Sequence, residues 1–421
     1  MIMAQYIPIF KIINNMKIAY LLIMLLLSCS NANQNHTNKV EAGDKNSSAI
    51  DSAERGKLSD FIEIKVDDQY PSRTIEMGDI AEVRYVPLET TDQSLIQGIH
   101  KMATSDDKIV ICDLVQNTIF IFDKDGHFIN SINKEGSGPQ EYSAIHNFAV
   151  NFQKEEIYIC DYPLRFRILT YSFDGDFIRE SKLDQKIWPL ILYNYDENFL
   201  IAYDSYNMES SEKANKQPYS LINKKNGKVS PLPLKIKNRK SNRVMISEGQ
   251  KYICAGVNID PMIKTDDGVV ISDFALDTLY KYTDHKLIPI GVRKNLGQKD
   301  LSSFCAYSSN YSFFNIVKME VDEKNIKNAP SEVDSKFFLI DRKSSSISEA
   351  KIQLSDVITK KDLSWDCYGK DLHKSGVTFT FRAGMLMKLL KEQRLNGKLK
   401  EIASNLTEDD NPVLMIAKFK E

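Results

Sequence analysis

The sequence predicts an all-β protein: a six-bladed β-propeller with four-stranded antiparallel blades, its ring closed by strands from both chain ends. Three observations predict it. A phrase of short strands recurs about every 50 residues, the period of propeller blades rather than of helical repeats. A Gly-containing hairpin turn stands at the same place in successive phrases, Gly126 and Gly175 lying 49 residues apart. The composition favours strands, with 19 Tyr, 20 Phe and only 18 Gly and 13 Pro in 421 residues.

The first unit reads as strands at 99–103, 108–113 (KIVICD) and 118–123 (TIFIFD). Asp125-Gly126 then turns into 127–132. An Asp-Gly pair between alternating apolar residues marks a tight hairpin, because its central positions need positive φ. The second unit repeats the pattern at 145–150, 156–161 (EIYICD), 168–173 and 176–183, turning at Asp174-Gly175. A third runs through 187–193, 199–203 and 219–223, then Asn226-Gly227 and 228–234. A fourth has 262–265, 269–273 (VVISD), 278–282 and 287–292. A fifth, degraded copy covers 311–321, 337–341 and 347–354.

The sixth blade is expected to be shared between the chain ends. Residues 412–419 (PVLMIAKF) can pair with 61–66 or 83–88, which removes the exposed sheet edges. Two short helices interrupt this blade. In 383–395, Met385, Leu386, Leu389 and Leu390 share a helical face, read as packing, and 398–406 forms the second helix.

Before the propeller lie two segments of different character. Met16-Lys17 precede an unbroken apolar run, 18–27, too short to span a bilayer as a helix. It fits the core of a signal peptide occupying 1–28. Residues 1–15 do not suit a charged leader, and Met16 is the expected start. Leu26-Leu27-Ser28-Cys29 resembles the lipobox of bacterial lipoproteins, which implies that Cys29 carries the lipid and anchors the chain in a bilayer. Residues 29–60 are polar and nearly free of large apolar side chains, as expected of a flexible tether. Residues 61–421 form the propeller.

Several phrases are similar to the six-bladed β-propeller lipoproteins of Bacteroidetes, a family akin to NHL-repeat propellers. They are Tyr85-Val86-Pro87-Leu88-Glu89-Thr90-Thr91, Phe120-Ile121-Phe122-Asp123-Lys124-Asp125-Gly126 and Gly136-Ser137-Gly138-Pro139-Gln140-Glu141-Tyr142. Asp277-Thr278-Leu279-Tyr280 and Asp410-Asn411-Pro412-Val413-Leu414 complete the set. The resemblance covers about residues 60–421 and is poorest over 301–360. It implies the fold and an envelope location, and supplies no catalytic residues. In such lipoproteins an acidic run after the lipidated cysteine accompanies surface export. Here Ser30-Asn31-Ala32-Asn33 follow, so the periplasmic side is expected.

Charge is balanced, 55 basic against 57 acidic residues, which excludes the strong positive field of a nucleic-acid binder. The six cysteines form no C-x-x-C pair and no metal spacing with histidine, and are read mainly as buried free thiols. No cofactor is implied. The Gly136–Tyr142 stretch lacks the strand–loop–helix context of a phosphate site and is read as a crossover between blades, with Glu141 and Tyr142 reaching the channel mouth.

In a four-stranded meander, the inter-blade crossovers and the loops joining strands two and three share one face. His100 and His146 occupy matching positions on first strands and are candidates for a polar ligand or a metal there, against the plainer role of bonding a loop carbonyl. Arg165 and Arg167, beside aromatics, could clamp a carboxylate or sugar acid, against a role as solvated loop charges. Asp113, Asp161 and Asp273 end second strands and are read as structural acceptors of turn N–H groups. The expected function is a binding or scaffold module for an envelope protein or a small polar ligand at the channel mouth. The alternative is a metal-dependent hydrolase or lyase on a lactonase-like propeller.

Overall fold

The structure is a computed structural model that describes residues 61–421 except 162–164, 206–214, 249–250, 257–258, 319–334 and 359–375. The expected signal peptide, Cys29 and the tether lie outside the described residues.

The N-terminal part contributes β1 (Ile62–Lys65), β2 (Ser72–Glu76), a single-turn helix α1 (Met77–Ile80) and β3 (Ala81–Pro87). Blade one follows as β4 (Lys101–Thr104), β5 (Lys108–Asp113), β6 (Thr118–Asp123) and β7 (Phe128–Ile132). Blade two is β8 (Asn147–Asn151), β9 (Glu156–Asp161), β10 (Arg167–Ser172) and β11 (Phe177–Lys182). Blade three is β12 (Pro189–Asn194), β13 (Phe199–Asp204), β14 (Tyr219–Asn223) and β15 (Val229–Pro231). A separate hairpin, β16 (Arg243–Glu248) and β17 (Lys251–Gly256), stands between blades three and four. Blade four is β18 (Met262–Thr265), β19 (Gly268–Ile271), β20 (Thr278–Thr283) and β21 (Lys286–Lys294). Blade five is β22 (Asp300–Tyr307), β23 (Tyr311–Lys318), β24 (Ser335–Asp341) and β25 (Ser346–Gln353). The closing blade joins β26 (Gly376–Phe381) and β27 (Val413–Phe419) to β3. Helices α2 (Ala383–Lys391) and α3 (Gly397–Ala403) lie between β26 and β27, as expected.

The chain is thus a six-bladed β-propeller of antiparallel four-stranded blades, the closing blade showing three strands among the described residues. Closure follows the second of the two expected pairings: β27 pairs antiparallel with β3, from Val413 opposite Pro87 to Phe419 opposite Ala81. The other candidate, at 61–66, has a different role. β1 adds in parallel to β21 at the rim of blade four, and β2 adds in parallel to β25 at the rim of blade five. The N-terminal segment is therefore a belt that covers two outer edges before closing the ring, which protects them from edge-to-edge pairing.

The apolar phrases are nearly continuous because each blade is buried on both faces. Alternation then divides a strand between two cores. Val110, Cys112, Ile119 and Ile121 share a core with Phe148, Ile157 and Leu169 of blade two. Ile109, Ile111, Phe120 and Phe122 pack with Val86 and Leu414 of the closing blade. The helices follow the same logic, Leu386, Leu389 and Leu399 packing with Phe381, Val413 and Met415, whereas Met385 remains exposed. Neighbouring blades also meet at the glycine turns. Gly126 (φ +93°) and Gly227 (φ +73°) lie so close to the Pro87 and Lys182 carbonyls that a Cβ would fall 2.2 and 2.0 Å from those oxygens. Among the described residues no helix is long and apolar enough to cross a membrane.

Candidate functional site

The two faces of the propeller differ. On one, every described connection within a blade is a short turn: 105–107, 124–127, 152–155, 173–176, 195–198, 224–228, 266–267, 284–285, 308–310 and 342–345. Among the described residues the long segments belong to the other face, which carries the crossovers and the loops between strands two and three. They include 133–146, the 232–261 crossover with the β16–β17 hairpin, and the two-helix insertion after β26. A rigid scaffold elaborated at one end only places its adaptable surface there. Exposed apolar side chains occur on this face as well: Leu95, Leu114 and Val115 beside blade one, and Trp188 entering blade three.

The two predicted histidines occupy equivalent places. The His100 N–H donates to the Cys112 carbonyl at 3.1 Å and the His146 N–H to the Cys160 carbonyl at 3.4 Å. The His100 Nδ1 lies 3.1 Å from the Gly98 carbonyl and 3.2 Å from the Leu114 N–H, so the ring is held by loop backbone whichever tautomer it adopts. Burial pulls the His146 imidazole below its usual range, against the opposing charge of Asp161. Among the described residues no three His, Cys, Asp or Glu side chains converge as a metal site.

Glu141, Tyr142, Arg165 and Arg167 are brought together, but as a lock on the crossover. Arg165 Nη1 donates to the carbonyls of Gly138 (3.2 Å) and Glu141 (3.0 Å), and its Nη2 to that of Ser137 (3.0 Å). Arg167 Nη1 donates to Pro139 O at 2.9 Å and Nη2 to Glu141 O at 2.5 Å. The Tyr171 hydroxyl donates to Gln140 O at 2.6 Å, so five successive carbonyls, 137–141, are each bonded by a side chain. The Glu141 carboxylate turns back to the Gly138 N–H at 2.8 Å. Tyr142 is fully buried rather than at the mouth: its hydroxyl donates to Asn117 O at 2.7 Å and accepts from the Lys134 N–H at 2.9 Å. The physical reason is general. An irregular loop packed between blades must find donors for its carbonyls, and the arginines predicted as a ligand clamp supply them.

The repeated aspartates do what their spacing suggests, and a fourth joins them. Asp113 accepts from the N–H groups of Gln97 (2.8 Å), Gly98 (3.1 Å) and Val115 (2.9 Å). Asp161 accepts from Ser143 N–H at 3.2 Å and Arg167 Nε at 2.9 Å. Asp204 accepts from Trp188 N–H at 2.7 Å. Asp273 accepts from Ala275 N–H (2.9 Å) and from the buried Tyr219 hydroxyl (2.8 Å), and burial raises its carboxyl above the usual range. All four are buried, and the first three each staple the incoming crossover to the end of a second strand.

The residues that reach the axis are the next ones along. Lys101 opens β4, and its Nζ donates to Asn147 Oδ1 of blade two and to Leu190 O of blade three, both at 3.0 Å. The Asn147 amide is itself oriented, Nδ2 donating to Pro189 O (3.0 Å) and Leu190 O (2.8 Å). Burial lowers the Lys101 ammonium below its usual range, partly offset by the attraction of Asp260, which precedes β18 of blade four. Away from the axis, a cavity of about 390 Å³ beside β3 is lined by Glu76, Arg84, Tyr85, Asp356 and Lys398. Its charged groups have partners: Glu76 accepts from Ser355 N–H at 2.7 Å, and Lys398 pairs with Glu401 at 3.1 Å.

Residues 61–418 match the family described as a domain of unknown function, DUF4934. The chain belongs to the DUF4934 family. Comparison with curated proteins finds no match. Among solved structures, this DUF4934 chain is similar to a Bacteroides fragilis protein described as exported, at 15% identity over 86% of this chain and 100% of the other, with a TM-score of 0.58. A DUF4221 family member from Bacteroides vulgatus shares 10% identity over 81% of this chain and 97% of its own, with a TM-score of 0.42. A catalytically inactive virginiamycin B lyase from Staphylococcus aureus shares 14% over 63% of this chain and 98% of its own, with a TM-score of 0.31. At such identity the first comparison supports the fold alone, and the other two superpositions are too loose to support an argument.

Proposed function

We propose that this DUF4934 propeller is an exported, lipid-anchored envelope protein whose crossover face binds a partner or a small polar ligand at the channel mouth. The lipid anchor rests on the apolar run 18–27 followed by Ser28-Cys29. The binding role rests on one observation, the concentration of the long described connections on a single face of an otherwise regular scaffold. The exposed Leu95, Leu114, Val115 and Trp188 on that face supply apolar contact area. The periplasmic side is favoured by the absence of acidic residues directly after Cys29.

Two experiments test the reading. Metabolic labelling with a palmitate analogue should mark the full chain and not Cys29→Ala. A photo-crosslinking side chain placed at Val115 or Trp188 should capture a specific species in the native envelope, while one at Asp107 or Lys225, in turns of the opposite face, should not. Capture confined to the opposite face, or equal on both, overturns the assignment.

A further inference from the structure

Charge is balanced along the chain but not between the two faces of the propeller. In the short turns carboxylates outnumber lysines and arginines, and Asp106-Asp107, Asp196-Glu197 and Asp266-Asp267 stand there as pairs. The crossover from blade three to blade four has the opposite character. Leu232, Leu234 and Ile236 alternate into the core, which leaves Lys235 and Lys237 exposed on the other side of the segment. The Ile236 N–H donates to the Lys216 carbonyl at 2.7 Å. Exposed Lys216, in the loop between strands two and three of blade three, is thereby brought alongside. Arg239 and Lys240 continue the strip.

The bonds that hold this strip leave its charge in place. The Arg239 guanidinium donates to the carbonyls of Asp204 (Nη2, 2.6 Å) and Asn215 (Nη1, 3.4 Å), and Lys240 Nζ to that of Gly297 (2.8 Å). A carbonyl satisfies a donor without neutralising it. Among the described residues none of these five cations forms a salt bridge. Trp188 belongs to the same patch: its N–H donates to the Asp204 carboxylate, on the residue whose carbonyl holds Arg239, and it is 38% exposed. At blade one the same face exposes Leu95, Leu114 and Val115. An anionic surface would attract this face and repel the acidic turns of the other. Indole rings favour the boundary between headgroups and acyl chains, and lysines favour anionic headgroups. An acidic protein would also suit the cations. A bilayer is favoured because it meets the exposed apolar groups of blades one and three at once, and because the lipid proposed on Cys29 holds the domain beside one.

We infer that the crossover face rests on an anionic bilayer surface, with Lys216, Lys235 and Lys237 against the headgroups and Trp188 at the boundary with the acyl chains. The inference names the partner of the crossover face, and it rests on the reading of that face as the binding surface and of Cys29 as the lipid-bearing residue.

The test uses the lipidated full chain with Trp365→Phe, which leaves Trp188 as the sole tryptophan. The chain is reconstituted in vesicles of phosphatidylcholine alone, or of equal parts phosphatidylcholine and phosphatidylglycerol, with brominated acyl chains in both. Trp188 fluorescence should be quenched in the anionic vesicles and much less in the neutral ones. The difference should vanish at about 1 M salt, where the screening length falls to about 3 Å. Each lysine at an anionic surface strengthens attachment by about fivefold, so Lys235→Glu with Lys237→Glu should remove most of the quenching. Lys216→Glu gives a second reading where that double variant fails to fold. Lys225→Glu with Lys228→Glu, in a turn of the opposite face, should leave the quenching unchanged. Equal quenching in the two kinds of vesicle, quenching in neither, or quenching indifferent to the Lys235, Lys237 and Lys216 variants overturns the inference. Palmitate labelling and vesicle flotation report on the anchor separately. A chain that labels at Cys29 and floats with both kinds of vesicle but shows no quenching keeps the anchor and loses this orientation; a chain that neither labels nor floats loses both. Capture of a protein by a crosslinker at Trp188, without quenching, overturns the inference and keeps the reading of the face as a partner surface.

Discussion

Removing the Arg167 guanidinium gives the sharpest test of how the crossover is held. The side chain is 5% exposed and the Asp161 carboxylate beside it fully buried, with 2.9 Å between Nε and Oδ2. In Arg167→Met the carboxylate stays buried with one partner fewer, and the carbonyls of Pro139 and Glu141 lose donors. Breaking a buried pair from one side costs about 3–5 kcal/mol. With an unfolding entropy of roughly 2.1 cal/mol/K per residue, a domain this long has about 0.75 kcal/mol/K in all, so 4 kcal/mol lowers Tm by roughly 5 °C. Differential scanning calorimetry measures it directly. The decisive comparison is Arg167→Met with Asp161→Asn, in which the uncompensated charge is gone while an oxygen still accepts from the Ser143 N–H. The double variant should recover part of the loss. A Tm change below about 1 °C in the single variant, or a double variant less stable than the single, refutes the account of Arg167 as a structural lock.

Stability should rise with pH between about 8 and 10. Burial pulls Lys224 and Lys264 down to about 8, so the folded state releases protons that the unfolded state, with lysines near 10.5, still binds. The penalty of holding these lysines charged is present below pH 8 and relieved above it; Lys224→Met should flatten the rise in Tm, and a fall across this window contradicts the prediction. Gly227→Ala should destabilise the protein by more than about 1 kcal/mol, because its φ is +73° and a Cβ would meet the Lys182 carbonyl at 2.0 Å. Gly384→Ala, in α2 with nothing within 4 Å, should instead stabilise by about 0.5–1 kcal/mol, and urea titration of the two variants distinguishes them. Cys112 and Cys160 are buried and their thiols are pushed up by desolvation, so iodoacetamide with peptide mass mapping should leave both unmodified until the protein is unfolded.

How much of the candidate site was legible differs by residue. Asp113, Asp161 and Asp273 were readable because each ends an Ile-Cys-Asp or Ile-Ser-Asp phrase, whereas Asp204 ends Ala202-Tyr203-Asp204 and broke the pattern. The histidine positions were equivalent, as expected, yet the residues that reach the axis are their neighbours, Lys101 and Asn147. Nothing local distinguishes them. Lys101 gains its meaning only when blade three brings the Leu190 carbonyl within 3.0 Å, a partner 89 residues away. Arg165 and Arg167 suggested a ligand clamp because a guanidinium fork suits a carboxylate, but it suits a row of loop carbonyls equally well. The β16–β17 hairpin has no counterpart in the repeat and was not read at all.

The amino-acid order alone determined the first four blades, their turns, the inserted helices and the closure by 412–419, but not β22 or β26, because period, alternation and positive-φ turns are local properties written along the chain. The tertiary structure alone decided that β1 and β2 belt the rim, that the crossover arginines point at backbone, and that Lys101 of blade one bonds first-strand atoms of blades two and three. Those outcomes depend on which distant groups compete for the same donors and acceptors once solvent is removed, and that competition exists only when the ring is closed.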